Sequence, residues 1–420
     1  QTLATILSET LDVSYDSVME KLNKTDSEYE IIAQKVDKDV TKELNAKLEA
    51  AGCTGVYSEP DTKRYYQHGS FLSAVLGYVG NDNNGAYGIE SQYNDELSGT
   101  AGRIVRVQNA QNEDIVPDTQ QYIPAKDGNS LVLTIDSDIQ NYLEKHLETA
   151  FADNPEARDG VSGIVMNVKT GEVLAMANLP DFDPNDAYHL TSEVYINELK
   201  TDVQKILTDA KINAVIPDKW YEEGGLANLP EELQKNDDIV NKLGSARVNI
   251  LMKTWRNPVV SDNYEPGSTF KTAQALTFLQ EGIIHEDYPT FPCAHGFNHK
   301  GLHVGCHGHG SPLSLIPAIA TSCNSYFCWG LYRMFGDKKY GSPQNAITVW
   351  KDHMVSQGFG YRLGTDLPGE QRGLIPNAKF YDKPYRGSWN GLTVISISIG
   401  QGEILATPLQ IANLGATIAN

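Results

Sequence analysis

Glu265-Pro266-Gly267-Ser268-Thr269-Phe270-Lys271 is the stretch whose reading decides this chain. A Pro-Gly turn that runs straight into apolar sequence predicts a helix start, with Ser268 on its first turn. Lys271 then lies three residues on, on the same helix face, with its amine in reach of the Ser268 hydroxyl. A serine hydroxyl becomes a useful nucleophile when a neighbouring base takes its proton. A lysine is such a base once burial, or the positive end of a helix, lowers its pKa. No other serine of the chain is followed three residues later by lysine. The tetrapeptide alone reads equally well as a polar helix start, so the surroundings must decide.

Downstream, Ala273, Ala275, Leu276 and Leu279 put small and apolar residues on several sides of a helix over 268–282, which predicts a helix buried inside a domain. A second apolar helix is expected over Leu313–Thr321 and a third from Asn324, with Ser322-Cys323-Asn324 at the junction between them. A serine two residues before an asparagine at such a turn aims both side chains into one cleft. The two other Ser-x-Asn triplets are set aside: Ser261-Asp262-Asn263 lies in the loop before the Ser268 helix, and Ser388-Trp389-Asn390 lacks a helical junction.

Composition narrows the class. The 420 residues leave room for two or three domains, and 40% hydrophobic with 21% charged residues is ordinary globular usage. A formal net charge of -20 argues against nucleic acid and against docking on anionic lipid through a basic patch. Residues 1 to about 60 read as short amphipathic helices with apolar faces at Leu3, Ile6 and Leu7, at Val18, Met19 and Leu22, and at Val40, Leu44 and Leu48, stopped by Gly52. Glycine turns then separate short β-like runs such as Arg103–Val107. After Ala125-Lys126-Asp127-Gly128, Leu131–Thr134 is expected as a strand and Ile139, Leu143, Leu147 and Phe151 mark a helix. Ser162–Met166 and Val173–Met176 flank the turn Lys169-Thr170-Gly171-Glu172 as a hairpin. Residues 190–250 read as a polar, helical excursion over the surface. The tail alternates apolar residues from Thr393 and then opens a last helix at Thr407-Pro408-Leu409-Gln410.

Ser-x-x-Lys followed by Ser-x-Asn resembles the class B penicillin-binding proteins, whose active sites combine these motifs with a Lys-Thr-Gly. The resemblance runs through nearly the whole chain. Gly88-Ile89-Glu90 and Leu97-Ser98-Gly99-Thr100 look like the family's pedestal. Leu133-Thr134-Ile135-Asp136 and Lys169–Met176 look like the start of its transpeptidase domain. Tyr264–Lys271, Ser322–Asn324, Asp366-Leu367-Pro368-Gly369-Glu370 and Gly400-Gln401-Gly402 look like its catalytic half.

The resemblance implies an α/β (α+β) fold: a non-catalytic, dimerisation-type pedestal over 1–125, and a transpeptidase domain of the β-lactamase-like kind over 126–420, with an antiparallel sheet and helices. It implies a serine D-Ala-D-Ala transpeptidase that cross-links peptidoglycan stem peptides through an acyl-serine and is a target of β-lactams. Ser268 is then the nucleophile, Lys271 its base, Ser322 the proton relay and Asn324 the group that holds Lys271 and the substrate amide. No cofactor is needed for that chemistry. The implied setting is the extracytoplasmic face of the cell membrane, with a single-pass anchor that this sequence does not contain and a membrane glycosyltransferase as partner. The rival readings are a D-Ala-D-Ala carboxypeptidase or β-lactamase-like hydrolase, and a non-catalytic cell-wall scaffold. The scaffold rival arises because the Lys-Thr-Gly at Lys169-Thr170-Gly171 precedes the nucleophile and reads as a turn; the active-site copy is expected beyond Asn420. The first 265 or so residues look more like the division and sporulation branch, and those after Ser268 more like the elongation branch.

One loop stands apart. His295, His299, His303 and His307 crowd between Cys293, Cys306 and His309, and Cys323 follows inside the Ser-x-Asn. Cys293, Cys306, His309 and Cys323 make a thiolate and imidazole set suited to a structural Zn²⁺, and some elongation-type members of the resembled family hold a metal in this region. The competing reading is a Cys293–Cys306 disulfide with exposed histidines. Cys53 and Cys328 read as plain buried cysteines.

Overall fold

In a computed structural model of the chain, residues 1–27, 29–105, 121–157 and 160–420 are described. They divide into two compact units, 1–131 with 181–255, and 132–180 with 256–420. The division therefore crosses the chain three times, where the sequence suggested one boundary near residue 125.

In the first unit, helices Thr2–Leu11, Tyr15–Leu22 and Lys38–Ala50 bury Ala4, Leu7, Val18, Leu44 and Leu48 against one another. The last of them ends two residues before Gly52, which takes a left-handed φ of 65°. Arg103–Val105 pairs antiparallel with Gln121–Ile123; the rest of the run expected to reach Val107 lies outside the described residues. Glu90, of the resembled Gly-Ile-Glu, is buried and accepts from Arg64 Nε at 2.6 Å and from the Tyr66 hydroxyl at 3.3 Å.

Residues 181–255 are not the surface excursion expected. Helices Glu193–Asp209 and Asp237–Trp255 pack along each other and bury Leu199, Val203, Leu207, Leu243, Ile250 and Leu251, and Tyr78, Phe182 and Trp220 join the same core. The polar texture belongs to the outer faces; the inner faces repeat at helical spacing.

In the second unit the expected hairpin forms, Val161–Met166 with Val173–Leu179, antiparallel and irregular at Val165/Met166. Helix Ser137–Asp153 covers it, capped by Asp136, whose carboxylate accepts from the Asp138 and Ile139 amides. Leu131–Thr134 is not a strand. The edge it was to pair with is met otherwise: the buried Gln140 side chain bonds both the N–H and the C=O of Met176, Thr134 Oγ1 donates to Val173 O, and the Asp136 amide donates to Leu174 O. Side chains satisfy an edge as well as a ladder does.

Gly267–Phe270 is a 3₁₀ turn that leads into helix Lys271–Gln280. Helices Leu315–Ala320, Asn324–Gly336 and Pro343–Ser356 surround it. Phe270, Phe278, Phe327, Leu331, Trp350 and Phe359 are wholly buried there. The buried Gln274 amide among these aromatics is used at both ends: Gln274 Nε2 donates to Ile397 O at 2.8 Å and Gln274 Oε1 accepts from Trp350 Nε1 at 2.9 Å. The apolar alternation after Thr393 becomes a 3₁₀ helix, Ile395–Ile399, and the last helix, Pro408–Ala419, starts in a Thr407/Gln410 capping box. Trp220, Trp255, Trp350 and Trp389 are all buried. Among the described residues no helix is long and apolar enough to cross a membrane.

The helix pair depends on the absence of a side chain at Gly330: a Cβ there would sit 2.5 Å from the Phe278 ring. Alanine is worth about 1 kcal/mol more than glycine in a helix interior, yet overpacking a rigid buried ring costs about 1–3 kcal/mol. Gly330→Ala is therefore expected to lower the thermal midpoint; an unchanged or raised midpoint in a melting experiment would show that the pair has slack.

Candidate active site

Pro266 begins the turn, and Gly267 follows at φ 56°, a left-handed conformation that suits glycine. The turn is pinned from outside. The Gly267 amide donates to Gly400 O at 2.8 Å, and the Gly402 amide donates to the Glu265 carboxylate at 3.2 Å. Gly400 must lack a side chain, since a Cβ would lie 2.2 Å from Gly267 O. Ser268 thus starts on a 3₁₀ turn rather than on the α-helix expected. Residues i and i+3 eclipse in 3₁₀ geometry, and Lys271 Nζ stands 3.0 Å from Ser268 Oγ.

Lys271 is 2% exposed. Its Nζ also lies 2.7 Å from Ser322 O, 3.0 Å from Ser322 Oγ and 2.5 Å from Asn324 Oδ1. Both contacts to Ser322 are possible because that residue is held at φ 51°, a left-handed conformation uncommon outside glycine. Burial lowers the Lys271 pKa from its ordinary value, and the nearby thiols of Cys306, Cys323 and Cys328 pull the other way. Four oxygens stand around a group that has three N–H bonds as an ammonium and two as an amine. Ser322 O and Asn324 Oδ1 can only accept. A neutral amine donates to these two and turns its lone pair to a hydroxyl, which is the arrangement a base for Ser268 needs.

The Asn324 amide is oriented by its other end: Nδ2 donates to Gly305 O at 2.8 Å. Gly305 closes the hairpin Gly296–His299/Leu302–Gly305, which packs on helix Asn324–Gly336 through Phe297 against Trp329, ring centres 4.7 Å apart. Ser268 itself is exposed, so its hydroxyl opens to solvent while the Lys271 amine does not.

Behind this group the ligand atoms of Cys293, Cys306, His309 and Cys323 lie within 4.8 Å of one another. All five cysteines are free thiols. Cys306 Sγ is 3.3 Å from His309 Nε2. Burial alone would raise the Cys306 thiol pKa, but His309 and the Asn324 and Ser325 amides bring it down to about 7. Burial pushes Cys323 up to about 12 and raises Cys293. His309 is raised, first by its bond to Gly310 O and then by Cys306. Tetrahedral zinc with sulfur at about 2.3 Å sets its ligand atoms about 3.8 Å apart, which these four positions accommodate. His299 and His303 stand outside the set, on Tyr332 and Asn298. Cys328 is buried, with its thiol raised to about 12 by desolvation; Cys53 is only half-buried, because the helix end it follows lies at the surface.

The structure thus brings together Ser268, Lys271, Ser322 and Asn324, and separately the four thiol and imidazole residues. Lys169-Thr170-Gly171 sits exposed at the hairpin turn, where the Gly171 amide donates to Asn167 O. Glu403 accepts from the buried Tyr381 hydroxyl, a packing contact. Arg256 pairs with Asp262 at 2.8 Å. The carbonyls of Ser322 and Gly305 and the Glu265–Gly402 clamp escaped the sequence reading, since backbone acceptors leave no residue-type signal; only the glycines of Gly400-Gln401-Gly402 hinted at the close approach.

Residues 161–420 match the family model of the penicillin binding protein transpeptidase domain, and residues 1–133 that of the penicillin-binding protein dimerisation domain. Among curated relatives, stage V sporulation protein D of Bacillus subtilis is 28% identical over 88% of this chain and 46% of its own length. Peptidoglycan D,D-transpeptidase MrdA of Acinetobacter baumannii is 28% identical over 87% of this chain and 47% of its own. The chain spans about half the length of these relatives. In fold it is similar to a chain in the complex between penicillin-binding protein PBP2 and MreC from Helicobacter pylori, with a TM-score of 0.67 at 24% identity, over 100% of this chain and 70% of that one. With both family models matched in order and the Ser268 and Asn324 motifs meeting at one buried lysine, this chain belongs to the class B penicillin-binding proteins.

Proposed function

We propose that the protein is a peptidoglycan D,D-transpeptidase and a target of β-lactams. The observation that carries this reading is the buried Lys271 amine, 3.0 Å from Ser268 Oγ and bonded by Ser322 and Asn324. The neutral amine takes the Ser268 proton as Oγ attacks the carbonyl of the penultimate D-alanine of a stem peptide. The Ser268 amide, on the turn pinned by Gly400, offers one donor to the oxyanion. The Ser322 hydroxyl passes the proton to the departing D-alanine nitrogen, whose bond to the carbonyl breaks. An acceptor amine then attacks the ester, the peptide bond forms, and Ser268 regains its proton. With a β-lactam the same attack opens the ring, and the expelled nitrogen stays tethered in the site. No bound cofactor enters these steps.

The name peptidoglycan D,D-transpeptidase of a relative supports a cell-wall role; the same proposal sets the protein outside the cytoplasm with a membrane anchor and a membrane glycosyltransferase partner, residues 1–125 serving as a pedestal for the catalytic residues of 126–420. Incubation of the protein with a penicillin is expected to give a stable mass increase on Ser268 that is absent in Ser268→Ala. An adduct that clears within minutes would favour a hydrolase, and no adduct at all would sink the acyl-enzyme reading.

The base must be neutral to act, so acylation should rise with pH through the Lys271 pKa. Because burial lowers that pKa, the inflection should fall below the value near 10.5 of a free lysine. Lys271→Ala should remove the pH-dependent limb and slow acylation by about 10²–10⁴-fold. A wild-type inflection at or above the free-lysine value would contradict the assignment, and rates of penicillin acylation between pH 5 and 10 decide it.

A structural Zn²⁺ held by Cys293, Cys306, His309 and Cys323 is a second proposal, supported by the donor set and its spacing. Four protein ligands leave no open coordination position, so its role would be to staple the loop to the Ser322–Asn324 junction. Elemental analysis should find about one zinc per chain, lost in Cys323→Ser together with several degrees of thermal stability. A metal-free protein of equal stability would overturn it.

A further inference from the structure

The first N–H groups of any helix lack partners within the helix. Helix Asn324–Gly336 finds two of them on sulfur: Cys323 Sγ accepts from the Tyr326 amide and Cys306 Sγ from the Asn324 amide, each at 3.3 Å. The residue beside Cys306 completes the hold, because Gly305 O accepts from Asn324 Nδ2 at 2.8 Å. A carbonyl oxygen can face only the amide nitrogen, so this contact turns Asn324 Oδ1 towards Lys271. Cys306 is itself fixed independently of its sulfur, since its amide donates to His295 O at 3.0 Å. We infer that Cys306 is a positioning residue for the active-site amide: through its sulfur it fixes the backbone of Asn324, and with Gly305 it fixes which end of that amide meets the Lys271 amine.

This role differs from metal ligation. A sulfur accepts the Asn324 N–H with or without a metal behind it, whereas the Cys293 thiol bonds the Cys306 and Cys323 thiols rather than Asn324 or Lys271. The activity arm of the inference rests on the acyl-enzyme reading above; the exchange arm does not.

The test compares wild type, Cys306→Ala, Cys306→Ser and Cys293→Ala, all stripped of metal by a chelator and checked for folding by their melting curves. Amide hydrogen exchange at Asn324 is read alongside the rate of acylation by a fluorescent penicillin across pH. Loss of one hydrogen bond to the sulfur should speed Asn324 exchange about three- to tenfold in Cys306→Ala. Acylation should fall by a comparable factor, with the pH inflection displaced, and the serine hydroxyl of Cys306→Ser should restore part of both. Cys293→Ala reports the cost of losing any thiol of the cluster, and Cys306→Ala should exceed it in both readouts. Equal effects of Cys293→Ala and Cys306→Ala, unchanged Asn324 exchange in Cys306→Ala, or faster exchange with undiminished acylation would each overturn the inference. Should the wild type itself fail to acylate, the acyl-enzyme reading falls, and Asn324 exchange alone decides whether Cys306 holds that residue.

Discussion

A lysine amine buried among four oxygens is the constraint on which the unit of residues 132–180 and 256–420 depends. Burying Lys271 costs desolvation of its charge, which is why its pKa falls. The amine stays in place because Ser322 O, Ser322 Oγ, Asn324 Oδ1 and Ser268 Oγ all lie within 3.0 Å. Removing one partner of a buried polar group leaves the remainder unsatisfied and costs about 1–3 kcal/mol. Each element that supplies a partner is therefore held to tight tolerance. The 3₁₀ turn before the helix eclipses Ser268 with Lys271, and the left-handed backbone at Ser322 turns two oxygens inward.

That tolerance is met by backbone supports that carry no chemistry of their own. Gly400 and Glu265 hold the Ser268 turn from one side. The Gly296–Gly305 hairpin holds Asn324 from the other and is anchored by the fully buried Phe297. Between them, Cys323 occupies the middle of Ser322-Cys323-Asn324 and its sulfur joins the thiol cluster, so one short turn serves Lys271 with its outer residues and the cluster with its central one. The two groups are separate in chemistry and continuous in structure.

Much of this was legible in the residues. Ser268 and Lys271 stand out because one periodicity places a hydroxyl beside an amine, and Cys293, Cys306, His309 and Cys323 stand out because thiols and imidazoles are rare enough for crowding to mean something. Helix Ser137–Asp153 and the hairpin after it followed from apolar spacing and a glycine turn. Leu131–Thr134 misled because an apolar run has strand propensity whether or not a partner edge is free, and here Gln140 had taken that edge. Residues 190–250 misled because their charges line the outside of helices whose inner faces bury Leu199 and Leu243.

The sequence by itself singled out Ser268, Lys271 and the Ser-x-Asn and determined the kinship, since these rest on residue type and local spacing, and local spacing survives folding. Tertiary structure alone decided that Ser322 offers its carbonyl as well as its hydroxyl, that Gly305 sets which way the Asn324 amide faces, and that residues 181–255 belong with 1–131 rather than with the flanking chain. Backbone carbonyls are the same in every residue, and contacts between distant segments depend on how far the chain must close to meet itself. Neither property is written in the identity of any one residue, so Glu265 to Lys271 could single out Ser268 without revealing what holds it in place.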